Sequence, residues 1–210
     1  VERTFTTKPV HQGYIEPHNA VAQYNADGRG TIWVSTQGAF SVRELCAQIL
    51  QMPTSAIKVV PAEIGGGFGG KTTVYLEPLA LLLSKKTGKP VKLVLDYTEE
   101  ILIGGHRHPS VIKLKTGVAE DGSLQVVKAD IYFSGGAYGA QKANPQVTVL
   151  GGRRLASMNR CPAIEVHTYC AYTNQVPCTQ TRTPGSPQVV FAFESQMDII
   201  AKEMGIDALE

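Results

Sequence analysis

The segment of the chain that most suggests chemistry is a glycine run with one apolar side chain inside it. Residues 65–70 are five glycines and Phe68, and Lys71 and Thr72 follow directly. Glycines let backbone N–H groups come close to a rigid polar or anionic ligand, because no Cβ stands in the way. The run therefore predicts a backbone cradle for a ligand, and it leaves the identity of that ligand open.

Nucleotide-binding patterns fit the same run. From Gly65 to Thr72 it matches Gly-x-x-x-x-Gly-Lys-Ser/Thr, in which Lys71 would meet the outer phosphates and Thr72 would ligate magnesium. Asp96, after an apolar run, imitates the acidic residue that holds this metal. The dinucleotide pattern Gly-x-Gly-x-x-Gly also fits, but no clean βαβ unit surrounds it. A proline in the entering segment and the lack of strict strand–helix alternation argue against both patterns.

The strands that would position this run are predicted from alternating or apolar β-branched segments. An Asp-Gly turn favours a hairpin of residues 20–25 with residues 31–36, and a second one favours a hairpin of residues 109–118 with residues 123–134. Three further strands are predicted, of which the second is of the buried type: residues 57–60, 91–95 and 164–172.

Three helices are predicted from apolar residues at helical spacing. The first begins at Ser41, which would form a capping box with Glu44. The second covers residues 75–86, and the third begins at Ser186 as its cap. Residues 135–160 fit neither pattern and are more typical of a functional loop. Strands and helices that mix without strict alternation predict an α+β fold with mixed sheets and packed helices, in one large domain or two closely packed subdomains.

Length and composition indicate an ordinary globular protein. The chain has 210 residues, of which 43% are hydrophobic, and its net charge is +2. The basic clusters are short and far apart, which argues against nucleic acid as the main partner. No apolar run reaches the roughly 18 residues of a membrane span. The four cysteines lack Cys-x-x-Cys spacing, so we expect reduced thiols, no iron–sulfur cluster on this chain and a cytoplasmic location.

Four motifs follow one another along the chain. They are residues 11–22, the triplet Ser35-Thr36-Gln37, residues 63–71 and residues 182–188. In this order and spacing they resemble the molybdenum-cofactor-binding subunit, or domain, of the xanthine dehydrogenase and aldehyde oxidase family of molybdenum hydroxylases. The resemblance covers nearly the whole chain and favours a molybdenum site over a nucleotide loop. It implies that residues 1–210 are the N-terminal part of a longer molybdenum subunit.

The resemblance implies cofactor-binding roles in two motifs. Gln37 would place its side-chain amide near an oxo ligand of the molybdenum, because an amide donates a hydrogen bond without adding charge. Phe68 would lie beside the metal and shield it from water, and neither residue is a direct metal ligand. The cofactor would be molybdenum-molybdopterin or its cytosine dinucleotide form. Its pterin would lie along the backbone of Gly66, Gly67, Gly69 and Gly70.

The resemblance also implies a substrate pocket that includes Thr72 and Arg182. Arg182 would hold a substrate oxygen, although its Arg-Thr-Pro-Gly sequence replaces the family's commoner Arg-Gly-Phe-Gly. Thr72 stands where purine-oxidising members carry a glutamate. An aldehyde or a non-purine heteroaromatic is therefore the expected substrate, with water as the oxygen source.

No catalytic residue is expected in this chain. In the family a glutamate near the C-terminal end of the subunit acts as the base, so it would lie beyond Glu210. The chain alone is predicted to be inactive, and the missing initiating Met indicates processing or an excised segment. Electrons would pass to 2Fe–2S clusters and FAD on partner subunits or domains. Two alternatives stay open: a phosphate-loop-like NTPase using Gly65 to Thr72, and a non-catalytic assembly fragment.

Overall fold

A computed structural model describes residues 1–139 and 145–209 of the chain. The described residues form two compact units. The first unit comprises Val1–Val10, His106–Thr179 and Thr183–Glu210, apart from the residues outside the description, and the second comprises His11–Gly105 and Gln180–Arg182.

Eight strands and five α-helices make up the regular structure of the described residues. The strands are β1 (Glu2–Thr7), β2 (Asn19–Tyr24), β3 (Gly30–Val34), β4 (Ile57–Pro61), β5 (Val91–Val94), β6 (Ser110–Val118), β7 (Leu124–Gly136) and β8 (Ala163–Tyr172). The helices are α1 (Ala39–Leu50), α2 (Glu77–Thr87), α3 (Tyr97–Ile103), α4 (Gln146–Ala156) and α5 (Ser186–Met204).

The first unit is built on a mixed sheet with the strand order β1-β6-β7-β8. Its first two pairs are antiparallel, and β7 and β8 are parallel. Strand β6 alternates buried and exposed residues, as expected when one face of a sheet is covered. Helices α4 and α5 contact this sheet and each other. The core between them includes Ile112, Ile131, Phe133, Val189 and Phe193.

The second unit is built on another mixed sheet, with the strand order β4-β3-β2-β5. Strands β2 and β3 form an antiparallel hairpin, and β3 continues through α1 into the parallel strand β4. Helices α1 and α2 bury their apolar sides in a core that includes Ala20, Ile32, Val42, Cys46 and Leu81. This arrangement places the ends of β3 and β4, which lead into the Ser35-Thr36-Gln37 triplet and the glycine run, side by side.

The α+β class and the mixed sheets predicted from the sequence are confirmed. Both predicted hairpins form, and the strands at residues 57–60 and 164–172 are present. The strand predicted at residues 91–95 is present as β5, but it is not of the buried type. It lies at the edge of its sheet, and Val94 is half exposed.

The two predicted N-caps were wrong. Helix α1 already begins at Ala39, so Ser41 lies within its first turn and does not cap it. Helix α5 has Gly185 as its N-cap, one residue before the predicted Ser186. Gly185 has a φ of +79°, and a Cβ there would collide with the carbonyl oxygen of Val147, so a serine could not take this position.

Two helices were missed by the sequence analysis. Helix α3 is capped by Asp96, which forms a capping box with Glu99, so the residue that imitated a magnesium ligand is a helix cap. Helix α4 lies in the stretch predicted to be a loop, of which residues 140–144 lie outside the description. Its Gly151 lowers helix propensity but lets the helix approach Phe133, since a Cβ would lie 3.0 Å from the ring.

No helix in the described part of the chain is long and apolar enough to cross a membrane. All four cysteines are free thiols. Cys46 is fully buried in the core of the second unit, where burial, followed by the charge of Glu77, raises its pKa to about 12. It is therefore a small core residue on the apolar face of α1.

Candidate functional site

The glycine loop, defined here as residues 65–71, lies in the second unit between β4 and α2. The backbone N–H of Gly70 donates to the carbonyl oxygen of Gly67 at 2.7 Å, and the Thr72 hydroxyl donates to that of Gly69 at 3.0 Å. Phe68 lies at the tip with a φ of +49° and 45% of its surface exposed. A non-glycine residue in this conformation is strained, so the surrounding contacts must hold it.

Gln37, directly after β3, is bound to the glycine loop through its backbone and its side chain. Its backbone N–H donates to the carbonyl oxygen of Lys71 at 2.8 Å. Its side-chain Oε1 accepts from the N–H of Gly69 at 2.9 Å and from that of Lys71 at 3.3 Å. These two donors fix which end of the amide is the oxygen. Nε2 donates to no described residue, so two N–H groups are left for a ligand.

The glycines of the loop allow it to pack against its own chain. An added Cβ would lie 2.7 Å from Cβ of Tyr14 at Gly66, and 2.6 Å from Oε1 of Gln37 at Gly67. At the remaining glycines it would come within 2.8 Å of protein atoms, which belong to Glu16 at Gly65, Gln180 at Gly69 and Tyr14 at Gly70. Their missing Cβ atoms therefore make room for neighbouring residues of the chain itself.

An ion pair with a buried ammonium and a partly exposed carboxylate lies against the loop. Lys71 is 1% exposed, and its Nζ donates to Oε2 of Glu16 at 2.8 Å and to the Ser35 hydroxyl at 3.0 Å. Oε2 of Glu16 also accepts from Ser35 and from the N–H of Gly65. Burial alone would raise the pKa of Glu16, but the hydrogen bonds from Lys71, Ser35, Gly65 and Asn19 outweigh it and lower the pKa to about 2.

This ion pair argues against the phosphate-loop alternative. The ammonium of Lys71 is buried against Glu16 and Ser35, so it is not presented to a phosphate. Helix α2 begins only at Glu77, and the loop therefore does not lead into a helix N-terminus as a phosphate loop does. These contacts do not favour the predicted roles of Lys71 and Thr72 in nucleotide binding.

The structure brings the two residues predicted for the substrate pocket to the same loop. The backbone N–H of Arg182 donates to the carbonyl oxygen of Phe68 at 2.8 Å, and its side chain is exposed. Thr72 is partly buried, and its hydroxyl proton is donated to Gly69. Gln37, Thr72 and Arg182 are thus each hydrogen-bonded to residues 65–71, although they are far apart in the sequence.

A second hydrogen-bond network, which is buried, contacts the loop through Tyr14. Its central residue is Glu100, which the sequence analysis did not identify. The carboxylate of Glu100 is fully buried and accepts from the Tyr14 hydroxyl and from the backbone N–H of His18. Nδ1 of His18 lies 2.8 Å from Oε1 of Glu100. Tyr14 in turn packs against Gly66 and Gly70. No local sequence pattern identifies Glu100 as the partner of Tyr14 and His18.

We expect Gly67→Ala to displace the Gln37 amide. The new Cβ would lie 2.6 Å from Oε1 of Gln37, and overpacking of this kind destabilises by about 1–3 kcal/mol. The amides of Gly69 and Lys71, which donate to that oxygen, should then exchange with deuterium faster. Gly139→Ala is the matched control, because a Cβ there meets no atom of the described residues within 4 Å. Unchanged exchange at both amides would contradict the expected displacement.

The chain is similar in sequence to molybdopterin-binding and molybdenum-binding proteins. A family model described as molybdopterin cofactor-binding domain matches residues 1–210. The nicotinate dehydrogenase large molybdopterin subunit of Eubacterium barkeri is 33% identical over 210 residues, which are 100% of this chain and 49% of that protein. A putative xanthine dehydrogenase molybdenum-binding subunit of Escherichia coli K12 is 34% identical over 211 residues, covering 100% of this chain and 28% of that one.

Solved structures share the fold. The aldehyde oxidoreductase of Desulfovibrio gigas matches with a TM-score of 0.91 and 27% identity, over 100% of this chain and 23% of that one. Quinoline 2-oxidoreductase of Pseudomonas putida 86 matches with a TM-score of 0.90 and 27% identity, over 99% of this chain and 27% of that one. The chain thus spans half or less of the length of each of these proteins.

Proposed function

Because the chain belongs to the molybdopterin cofactor-binding domain family, we propose that Gln37 and the glycine loop hold a molybdenum-molybdopterin cofactor in an oxidoreductase of the xanthine dehydrogenase and aldehyde oxidase type. The observation that carries the proposal is the state of the Gln37 amide. Its oxygen is bound by two loop N–H groups, whereas its nitrogen has no acceptor among the described residues. An oriented, neutral donor is what an oxo ligand of a metal requires.

The other residues around the loop fit the same cofactor. Phe68 presents an apolar ring at the loop tip, where it can exclude water from a bound group. The charge of Lys71 is compensated by Glu16 inside the protein, so it does not compete with Gln37 for the ligand. When bound, the cofactor supplies the redox chemistry of substrate hydroxylation, with water as the oxygen source. The chain itself contributes binding, orientation and the exclusion of water.

We propose an aldehyde or a non-purine heteroaromatic ring as the substrate. Thr72 offers an uncharged hydroxyl whose proton is donated to Gly69, so it can accept a hydrogen bond but brings no carboxylate charge beside a purine nitrogen. The exposed Arg182, held beside Phe68, can bind a substrate oxygen. The names of similar proteins refer to nicotinate, quinoline and aldehydes but also to xanthine, so the proposed class rests on Thr72 and Arg182.

The proposal extends to the rest of the enzyme. The base that completes the site, the 2Fe–2S clusters and FAD would be supplied by other parts of the molybdenum subunit and by partner subunits or domains. The similar proteins, of which this chain spans half or less, support such an assembly. Whether the cofactor carries a cytosine nucleotide would be decided by the same analysis that identifies the pterin.

The test is the metal and pterin content of the full-length protein, produced in cells that make molybdopterin. We expect about one molybdenum per chain by mass spectrometry of the metal, together with a pterin and, for the dinucleotide form, cytidine monophosphate after hydrolysis. Nicotinate, quinoline, benzaldehyde and xanthine are then offered as substrates. Oxidation of xanthine alone would overturn the substrate class, and absence of molybdenum would overturn the function.

The two alternatives give different results in the same preparation. An NTPase would bind magnesium ATP in calorimetry and lose that binding on Lys71→Ala. We expect no measurable heat, because the Lys71 ammonium is occupied by Glu16 and Ser35. A non-catalytic assembly fragment would contain no cofactor even together with its partner subunits.

A further inference from the structure

We infer that Glu16 is a positioning residue that closes the glycine loop from both ends and thereby fixes the Gln37 amide, an inference that rests on the proposed molybdenum function. One oxygen of Glu16, Oε2, accepts from the backbone N–H of Gly65 at 2.7 Å, where the loop begins. The same oxygen accepts from Nζ of Lys71 at 2.8 Å, where the loop ends. A single carboxylate thus joins the first and last residues of the loop.

Lys71 connects Glu16 to Gln37 through hydrogen bonds of its side chain and its backbone. Its side chain is held by Glu16 and Ser35, while its backbone N–H donates to Oε1 of Gln37 at 3.3 Å. Its carbonyl oxygen accepts the backbone N–H of Gln37 at 2.8 Å and the Thr36 hydroxyl at 3.0 Å. A shift of the Lys71 backbone must therefore move the Gln37 amide, because three of these bonds join Lys71 to Gln37 and its neighbour Thr36.

The charge of Glu16 is needed for this closure. Lys71 is 1% exposed, whereas the side chain of Glu16 is 30% exposed, so loss of the carboxylate leaves the ammonium as the uncompensated buried charge. The ammonium would then move toward water and pull the end of the loop with it. Glu16 is itself anchored, since Oε1 accepts from Asn19 at 3.1 Å and its backbone N–H donates to the carbonyl oxygen of Gly65 at 3.2 Å.

The first test is Glu16→Gln in the full-length protein prepared without cofactor, followed by residue-resolved hydrogen exchange. A glutamine can still accept from Gly65, so that amide is not informative. The amides of Gly69 and Lys71 are informative, because both donate to Gln37 and not to Glu16. They should exchange roughly 10- to 100-fold faster, the equivalent of one lost hydrogen bond to a charged group. The matched control is Glu63→Gln, an exposed carboxylate just before the loop.

Two outcomes overturn the inference. Unchanged exchange at Gly69 and Lys71 shows that Glu16 does not position Gln37. An equal rise throughout β2 and β3 shows that Glu16 only stabilises the unit as a whole. If Glu16→Gln does not fold, Ser35→Ala replaces it in the same exchange experiment.

This milder variant removes one hydrogen bond to Glu16 and one to Lys71. It should speed exchange at Gly69 and Lys71 by up to about tenfold. Unchanged exchange of these two amides in Ser35→Ala overturns the inference.

The second test uses the loaded enzyme. A displaced Gln37 amide should lower kcat by about tenfold or more with KM unchanged, because misplacement affects the reacting centre and not the binding of substrate. A rise in KM at constant kcat overturns the inference. The exchange experiment needs no cofactor, so it holds whether or not the protein binds molybdenum. Conversely, the molybdenum content of the unaltered protein tests the proposed function without reference to Glu16.

Discussion

Gln37→Glu is expected to lower turnover by the full-length enzyme roughly 10²- to 10³-fold, which is the usual cost of removing one oriented donor from an active site. One carboxylate oxygen can keep the place of Oε1, which accepts from the N–H groups of Gly69 at 2.9 Å and Lys71 at 3.3 Å. The other oxygen takes the place of Nε2. The shape of the side chain is thus preserved, but an acceptor now faces the ligand where a donor is required.

The measurement is kcat and KM with the substrate that the unaltered enzyme oxidises, together with the molybdenum content. Molybdenum content separates loss of the cofactor from loss of the donor. Gln48→Glu makes the same chemical change on the exposed side of α1 and should leave turnover unaltered. Equal activity of the two variants would show that the Gln37 amide does not face the reacting group.

Short-range patterns explain the parts of the fold that the sequence predicted correctly. The β2–β3 turn is closed by bonds between near neighbours, with the N–H of Asn25 donating to the carbonyl oxygen of Arg29 at 2.8 Å. Such turns depend on a few consecutive residues, and Asp-Gly signals them directly. Helix boundaries were less accurate, because Gly38 and Gly185 cap α1 and α5 through backbone geometry rather than a capping side chain.

Long-range partners explain what the sequence could not predict. Glu16 and Lys71 are 55 positions apart, and Glu100 and His18 are 82 positions apart. A charged residue on its own does not indicate whether it will be exposed or buried with a partner. The sequence of residues 65–71 did not reveal their packing for a related reason, since a glycine required for packing and a glycine required for ligand approach look the same in a sequence. Only the neighbours, Tyr14 foremost among them, distinguish the two.

Glu100→Gln is expected to destabilise the second unit by about 3 kcal/mol, because it breaks a buried, charged hydrogen-bond network. Oε1 of Glu100 accepts the Tyr14 hydroxyl and lies 2.8 Å from Nδ1 of His18, and Oε2 accepts the backbone N–H of His18 at 2.7 Å. A glutamine amide has one acceptor atom in place of two and places a donor next to one of these donors. Since Tyr14 supports Gly66 and Gly70, amides in the glycine loop should lose protection together with those of α3.

The same variant should change the response to acid. Burial raises the pKa of Glu100, but the hydrogen bonds from His18 and Tyr14 outweigh it and lower the pKa from 4.5 to about 2. The stability that Glu100 contributes is therefore fully present above pH 4.5 and is lost as the pH falls toward 2. In Glu100→Gln the acid dependence due to Glu100 should disappear, and the acid dependence due to Glu16 should remain.

The measurement is hydrogen exchange of the second unit between pH 7 and pH 3, in the unaltered protein and in Glu100→Gln. The exposed Glu44→Gln is the control. An unaltered acid dependence would mean that the carboxylate of Glu100 is not held in its charged form by His18 and Tyr14.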